Sequence, residues 1–181
     1  MLIGPQASGK GTFSKMIEQT REIKAISSGS AFRRAIESGA LSAELAESHK
    51  RGNLMPDEAV YAIMEQILPT DSDILLDGFP RTIDQAKWLE QWAGDDFDIT
   101  VVFLDMPDEI TWTRIQKRIA DGGSRADDAD IESIRTRLAL YHEKTMPLVE
   151  WYRANPKVKF SQVDVSRTVE ENFKDVARAI E

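Results

Sequence analysis

Apolar positions along the chain follow two alternating periods. Met1 to Ile3 is an apolar stub of the kind that ends a buried strand, and Phe13, Met16 and Ile17 then share one side of a helix expected from Thr12 onward. From Ser27 to Asp57 the helical period continues but is interrupted by Gly29, Gly39, Gly52 and Pro56, which predicts short packed helices joined by turns. Val60, Ile63, Met64 and Ile67 keep helical spacing over Asp57 to Leu68. Asp73 to Asp77 is a short apolar run that ends in turn chemistry, as a buried parallel strand does.

The alternation continues to the C-terminal region. A helix is expected from Thr82 to Trp92, a β-branched strand from Ile99 to Leu104, and a helix from Pro107 to about Ile119. An Asp- and Gly-rich loop covers Ala120 to Asp130, and one long helix is expected from Ile131 to about Arg153. Val158 to Val165 supplies a final strand and Glu170 to Ile180 a closing helix. Repeated β and α elements in this order predict an α/β fold with a central parallel sheet.

Between the first strand and first helix stands Gly4-Pro5-Gln6-Ala7-Ser8-Gly9-Lys10-Gly11-Thr12. Its two glycines lie five apart, with a lysine beside the second. Glycines let a backbone curl so that its N–H groups point inward, and the N-terminus of the following helix adds partial positive charge, which together make a phosphate-binding loop. Lys10 adds a full charge, and Thr12 offers a hydroxyl to a metal, displaced one position from the usual pattern by Gly11. Taken alone, this loop leaves switch proteins, ATPases and kinases open.

Composition narrows the field. At 181 residues, with 41% hydrophobic and 30% charged positions, the chain fits a single globular domain over residues 1–181. There is no cysteine, so disulfides and thiolate metal sites are excluded, and two histidines, His49 and His142, make a poor start for a zinc site. A net charge of −8 argues against general nucleic-acid binding but not against a small phosphate ligand in a local basic pocket. No apolar run approaches the ~20 residues of a membrane span, and the first motif starts too early for a signal peptide, so a cytosolic location is expected, and a monomer is expected as well.

Several segments carry a family resemblance, two of them most specifically. The Gly4 to Thr12 loop resembles the opening loop of adenylate kinases, and Asp77-Gly78-Phe79-Pro80-Arg81-Thr82 is similar to the six-residue signature that this family of nucleoside monophosphate kinases carries after a strand. Ser27-Ser28-Gly29-Ser30 with Arg33 resembles the family's monophosphate-binding segment, a Ser-Thr-Gly-Asp run followed three residues later by an arginine that grips the acceptor phosphate. Ser28 holds the Thr position, where a hydroxyl points to adenine and uridylate and cytidylate kinases tend to carry Ala. Ser30 replaces the family's Asp, removing a carboxylate near the metal. Asn53 to Glu58, including Met55, resembles the segment that closes over the acceptor base, and Gln85 matches the glutamine that reads adenine.

Arg114 and Arg118, four apart on one helix face, match the arginine that stacks on the donor adenine and the first of the lid arginines. Arg125, followed by Asp127 and Asp128, and Arg137, with Leu138 and Tyr141, match the others, and the two aspartates are expected to orient these arginines. Val165 to Arg167 resembles the loop bordering the donor adenine. Only six residues separate Arg118 from Arg125, which implies the short-lid form.

The resemblance implies a P-loop fold of three α/β/α layers, with a small helical monophosphate-binding insertion over about 27–56 and a short lid over about 119–130, both closing on substrate. It implies reversible, Mg²⁺-dependent phosphoryl transfer from ATP to AMP giving two ADP. Lys10, Arg81, Arg118, Arg125 and Arg137 would clamp phosphates. Gly4, Gly9, Lys10, Gly11, Thr12, Arg114 and Arg118 would hold ATP, and Ser28, Arg33, Met55, Gly78, Arg81 and Gln85 would hold AMP. Thr12 and Asp77 would hold Mg²⁺, directly or through water. A UMP/CMP kinase with the same machinery and a catalytically inactive nucleotide-binding protein stand as alternatives.

Overall fold

Residues 1–122 and 131–181 are described in the computed structural model. Their strands are β1 (Leu2–Ile3), β2 (Lys24–Ser27), β3 (Ile74–Asp77), β4 (Thr100–Asp105) and β5 (Lys159–Asp164). They form one sheet in the order β2-β3-β1-β4-β5, with every neighbouring pair parallel. Lys10 and Asp130, expected in loops, differ in standing: the first opens a helix and the second lies outside the described residues.

Side-chain alternation within the strands sets the layers, because successive strand residues face opposite sides. In β4, Val102 and Leu104 join Leu2, Phe13, Ile17 and Val176, which places α1 (Lys10–Thr20) and α9 (Val169–Ile180) on one face. Val101 and Phe103 join Ile3, Ala86, Leu148 and Tyr152, which places α5 (Ile83–Ala93) and α8 (Met146–Arg153) on the other. The result is three layers. A further cluster unites Phe32 of α2 (Ser28–Glu37) with Val60 and Met64 of α4 (Asp57–Ile67), against Ile26, Leu76 and Phe79. This cluster anchors the 27–56 segment to the sheet, while α3 (Ala43–Lys50) contributes no buried residue.

Three elements differ from the sequence pattern. The strand β2 was not expected; it is an edge strand in which only Ile26 is buried, so it carries almost no apolar signal. Helix α1 starts at Lys10 rather than Thr12, after Gly9 in the left-handed region at φ 95°. The expected single helix over 131–153 is α7 (Ile131–Leu140), a π-helical turn over Tyr141–Thr145, and α8. Pro147 lies in the first turn of α8, where its missing N–H costs nothing; deeper in a helix its ring would clash with the carbonyl four residues earlier. The remaining helix, α6 (Asp108–Ala120), follows β4 as expected.

The carboxyl ends of β1, β2 and β3 open on one side of the sheet, where ligands collect in parallel α/β folds. Gly4, Ser28 and Asp77 stand at those ends.

Candidate active site

At the carboxyl end of β1 the chain passes so close to β4 that a Cβ on Gly4 would lie 2.7 Å from the Leu104 carbonyl oxygen, so no larger residue fits there. The loop then holds Ala7 at φ 59°, a left-handed conformation that non-glycine residues seldom adopt, and buries Ser8 completely. Among the described residues no side chain caps α1 and its first turn carries no acidic residue. Its leading N–H groups and dipole therefore face the cleft as an anion site.

Lys10 points into this loop. Its Nζ donates to the carbonyls of Gly4 and Pro5, each at 2.7 Å, with the Ser8 hydroxyl at 3.4 Å. Gly4, Gly9, Lys10, Gly11 and Thr12 line a cleft of about 790 Å³, together with Asp77, Arg33 and Arg81. Arg114, Arg118 and Arg137 form its far wall. A cleft of this size falls within the range of small-molecule sites.

The second end of the site is smaller and more tightly tied. Ser27 pairs in register with Asp77, which sets Ser28 beside Gly78. The buried Ser28 hydroxyl donates to the Gly78 carbonyl at 2.8 Å, and Arg81 Nε donates to the same oxygen at 2.8 Å. Gly78 itself stands at φ 79°, and a Cβ there would meet Ser28 Oγ at 2.9 Å and Arg81 Nη2 at 3.2 Å. Arg33 Nη2 donates to Ser30 Oγ at 3.0 Å, so the serine in place of the family's Asp positions that arginine.

Gln85 is buried, and both ends of its amide are engaged. Its Oε1 accepts the Arg81 main-chain N–H at 2.8 Å and its Nε2 donates to Asp57 Oδ1 at 2.8 Å. The local fold explains its place: Thr82 caps α5 by accepting the Gln85 N–H at 3.2 Å, which turns the first helical turn toward the pocket. Ser28, Met55, Gly78, Arg81 and Gln85 line a cavity of about 30 Å³ with Phe79. Arg81 and Gly78 border both this cavity and the larger cleft.

The expected donor-side arginines differ in their contacts. Arg114 Nη2 donates to the carbonyls of Val165 at 2.7 Å and Arg167 at 3.1 Å, and Asn172 Nδ2 donates to the same two oxygens. The 165–167 loop is thus gripped from two sides. Burial lowers the Arg114 pKa, an effect opposed by the Asp164 carboxylate. Arg118 and Arg137 are half-buried on the cleft wall. Arg125, Asp127 and Asp128 lie outside the described residues.

Several contributors are placed by the fold in ways that no local motif gives. The buried Thr145 hydroxyl, delivered by the π-helical turn, donates to the Arg81 carbonyl at 3.1 Å. The Arg81 peptide is therefore held at its N–H by Gln85 and at its carbonyl by Thr145. Tyr141, from the same turn, lines the cleft, and burial pushes its phenol pKa upward, with Asp105 and Asp108 adding to the shift. Ser133 on α7 donates to the Lys50 carbonyl at the end of α3 at 3.0 Å, so α7 meets the 27–56 segment directly. Ala7 and Ser8 in the phosphate loop and Asp57 in the 53–58 segment lie in segments read from the sequence, but their individual contacts appear only in three dimensions.

Known proteins match this chain along most of its length. A family model described as adenylate kinase matches residues 2–157. The adenylate kinase of Phocaeicola vulgatus is 34% identical over 187 positions, covering 100% of this chain and 97% of the relative. That of Parvibaculum lavamentivorans is 36% identical over 180 positions, covering 94% and 86%. That of Clostridium botulinum is 30% identical over 213 positions, covering 99% and 97%, so it carries residues with no counterpart in these 181.

Proposed function

Because the chain belongs to the adenylate kinase family, we propose that its cleft carries out reversible phosphoryl transfer from ATP to AMP, giving two ADP, with Mg²⁺ at the donor phosphates. The observation that best supports this reading is the sharing of Arg81 and Gly78 between the phosphate-loop cleft and the smaller pocket of Ser28 and Gln85. Two nucleotides seated end to end would bring their phosphates together at Arg81.

The acceptor supplies its own nucleophile. A phosphate monoester with a second pKa near ~6 is largely a dianion at neutral pH, so the chain need not provide a general base. What it provides is position and positive charge around a loose, in-line transition state. Arg33 and Arg81 hold the acceptor phosphate, and Lys10 turns from the Gly4 and Pro5 carbonyls to the β- and γ-phosphates. Arg118, Arg125 and Arg137 surround the transferring group with always-charged, bidentate donors. Gly9, Gly11 and the first turn of α1 give main-chain N–H groups to the donor phosphates, and Arg114 covers the donor base beside the 165–167 loop. Met55 packs on the acceptor base and Gln85 reads its edge. The 27–56 segment closes over the nucleotides and excludes water, while the lid expected over about 119–130 lies mostly outside the described residues.

The residues at the metal position suit Mg²⁺. Thr12 and Asp77 are hard oxygen donors on the wall of one cleft, and among the described residues no group of three or more His, Cys, Asp or Glu is arranged to hold a metal. Such a sparse donor set fits an ion that keeps several waters and takes phosphate oxygens as ligands. When bound, Mg²⁺ neutralises charge on the donor phosphates and fixes their geometry. Among the described residues no helix is long and apolar enough to cross a membrane.

A panel of AMP, CMP and UMP with ATP and Mg²⁺ tests the reading. AMP is expected to be the best acceptor, with ADP the sole product. CMP or UMP exceeding AMP would move the chain to the pyrimidine kinases, and nucleotide binding without any ADP formation would move it to a non-catalytic role.

A further inference from the structure

We infer that Asp57 determines which purine the acceptor pocket takes, by locking the side-chain amide of Gln85 in one orientation. The inference deepens, and rests on, the reading of Gln85 as the group that meets the acceptor base.

Gln85 is only 2% exposed and its amide has two fixed partners. A main-chain N–H can only donate, so the atom 2.8 Å from Arg81 N is the amide oxygen. A carboxylate can only accept, so the atom 2.8 Å from Asp57 Oδ1 is the amide nitrogen. Turning the amide by half a rotation would set its NH₂ against the Arg81 N–H and its oxygen against the Asp57 carboxylate. Both contacts would become repulsive. For a ligand this leaves one N–H on Nε2 and one lone pair on Oε1, in a fixed order.

That order distinguishes purines. Adenine presents an N6 donor beside an N1 acceptor, whereas hypoxanthine and guanine present an O6 acceptor beside an N1–H donor. An amide free to turn would serve both edges; a locked one serves a single edge, adenine's under the proposed function. Ser28 acts in the same sense: its proton is committed to the Gly78 carbonyl at 2.8 Å, so its oxygen faces a ligand as an acceptor, suited to an amine rather than to O6. Asp57 is a positioning residue in this scheme. It opens α4, directly after Pro56, and the adjacent Glu58 occupies the same helical turn but, among the described residues, makes no hydrogen bond to Gln85.

The test compares kcat/KM for AMP and for IMP in the wild-type protein and in Asp57→Asn, Glu58→Gln and Gln85→Leu. An asparagine at position 57 can present either end of its own amide, so the lock is lost on that side. Asp57→Asn is expected to lower the AMP:IMP ratio by about tenfold, on the order of one net hydrogen bond, mainly through a lower KM for IMP, because the turned amide then keeps a partner at position 57. Glu58→Gln removes the same charge from the same helix N-terminus and is expected to leave the ratio unchanged, which separates the lock from the helix dipole. A collapsed ratio in Gln85→Leu with an unchanged ratio in Asp57→Asn would overturn the role of Asp57 alone. An unchanged ratio in Gln85→Leu would overturn the reading of Gln85, and this inference with it. A readout independent of any variant is the Gln85 side-chain amide of the wild-type protein by NMR. Slow solvent exchange of its Nε2 protons is expected, and rapid exchange would contradict the lock.

Discussion

The two ends of the cleft present their chemistry in opposite states. At the end proposed for the acceptor, Ser28, Arg81 and Gln85 are fixed by hydrogen bonds of 2.8 Å to main-chain atoms or to Asp57 around a cavity of about 30 Å³. At the donor end Lys10 is bound to its own loop by two carbonyls at 2.7 Å, beside a cleft of about 790 Å³. The difference follows from what each end must do. Telling one base from another needs donors and acceptors set in advance, because specificity comes from polar groups that a wrong partner leaves unpaired. Gripping a polyphosphate needs charge and main-chain N–H groups, and a lysine on a flexible stem can be re-aimed at small cost.

The sharpest way to break this contrast is at the lysine. Lys10→Met is expected to lower kcat by about 10²–10³, the usual loss for one transition-state donor, while AMP affinity measured by titration calorimetry stays near the wild-type value. A parallel loss of AMP affinity would show that the two ends are not separable. Next in size is Gly78→Ala at the rigid end. With φ at 79° and Ser28 Oγ 2.9 Å from the new Cβ, it is expected to cost about 1–3 kcal/mol, or about 2–4 °C of melting temperature per kcal/mol, and to raise KM for AMP.

Ser28→Ala is milder, because the Gly78 carbonyl keeps its bond from Arg81 Nε at 2.8 Å. A threefold to tenfold fall in kcat/KM for AMP is expected, on the order of one net hydrogen bond, with CMP gaining relative to AMP. The smallest effect is expected away from both ends. Tyr152 is fully buried, and among the described residues its hydroxyl has no hydrogen-bond partner. Tyr152→Phe is therefore expected to be neutral or stabilising by up to about 1 kcal/mol in urea unfolding. The variant should also flatten the stability profile at high pH. Burial raises the Tyr152 pKa, so above the ordinary value of 10.0 the unfolded chain loses a proton that the folded chain keeps, and stability falls as pH rises.

The same contrast governs what the sequence discloses. The phosphate loop is legible because its function resides in the backbone: Gly4, Gly9 and Lys10 are contiguous, and their spacing alone describes a curled loop before a helix. The sheet is legible because β4 is a continuous apolar run, with Val101 and Phe103 buried on one face and Val102 and Leu104 on the other, as a parallel strand covered by helices on both sides requires. The acceptor end is only partly so. Asp57 and Gln85 lie 28 positions apart, and Thr145 lies 64 from the Arg81 carbonyl it holds, so no local pattern links them. Edge strand β2 escapes for a related reason, since Ile26 is its one buried residue. The π-helical turn escapes because no change of apolar period marks it; it is seen only where it delivers the buried Thr145, just before Pro147 opens the next helix.

Backbone amide exchange tests the contrast most directly, followed residue by residue in the free protein and after addition of AMP or ATP. The account predicts that the Arg81 amide, bonded to Gln85 Oε1 at 2.8 Å, is protected before any nucleotide is added and changes little with AMP. It predicts that the leading amides of α1, at Gly11 and Thr12, exchange freely until ATP is added and are protected afterwards. An unprotected Arg81 amide in the free protein, or α1 amides already protected without ATP, would contradict it.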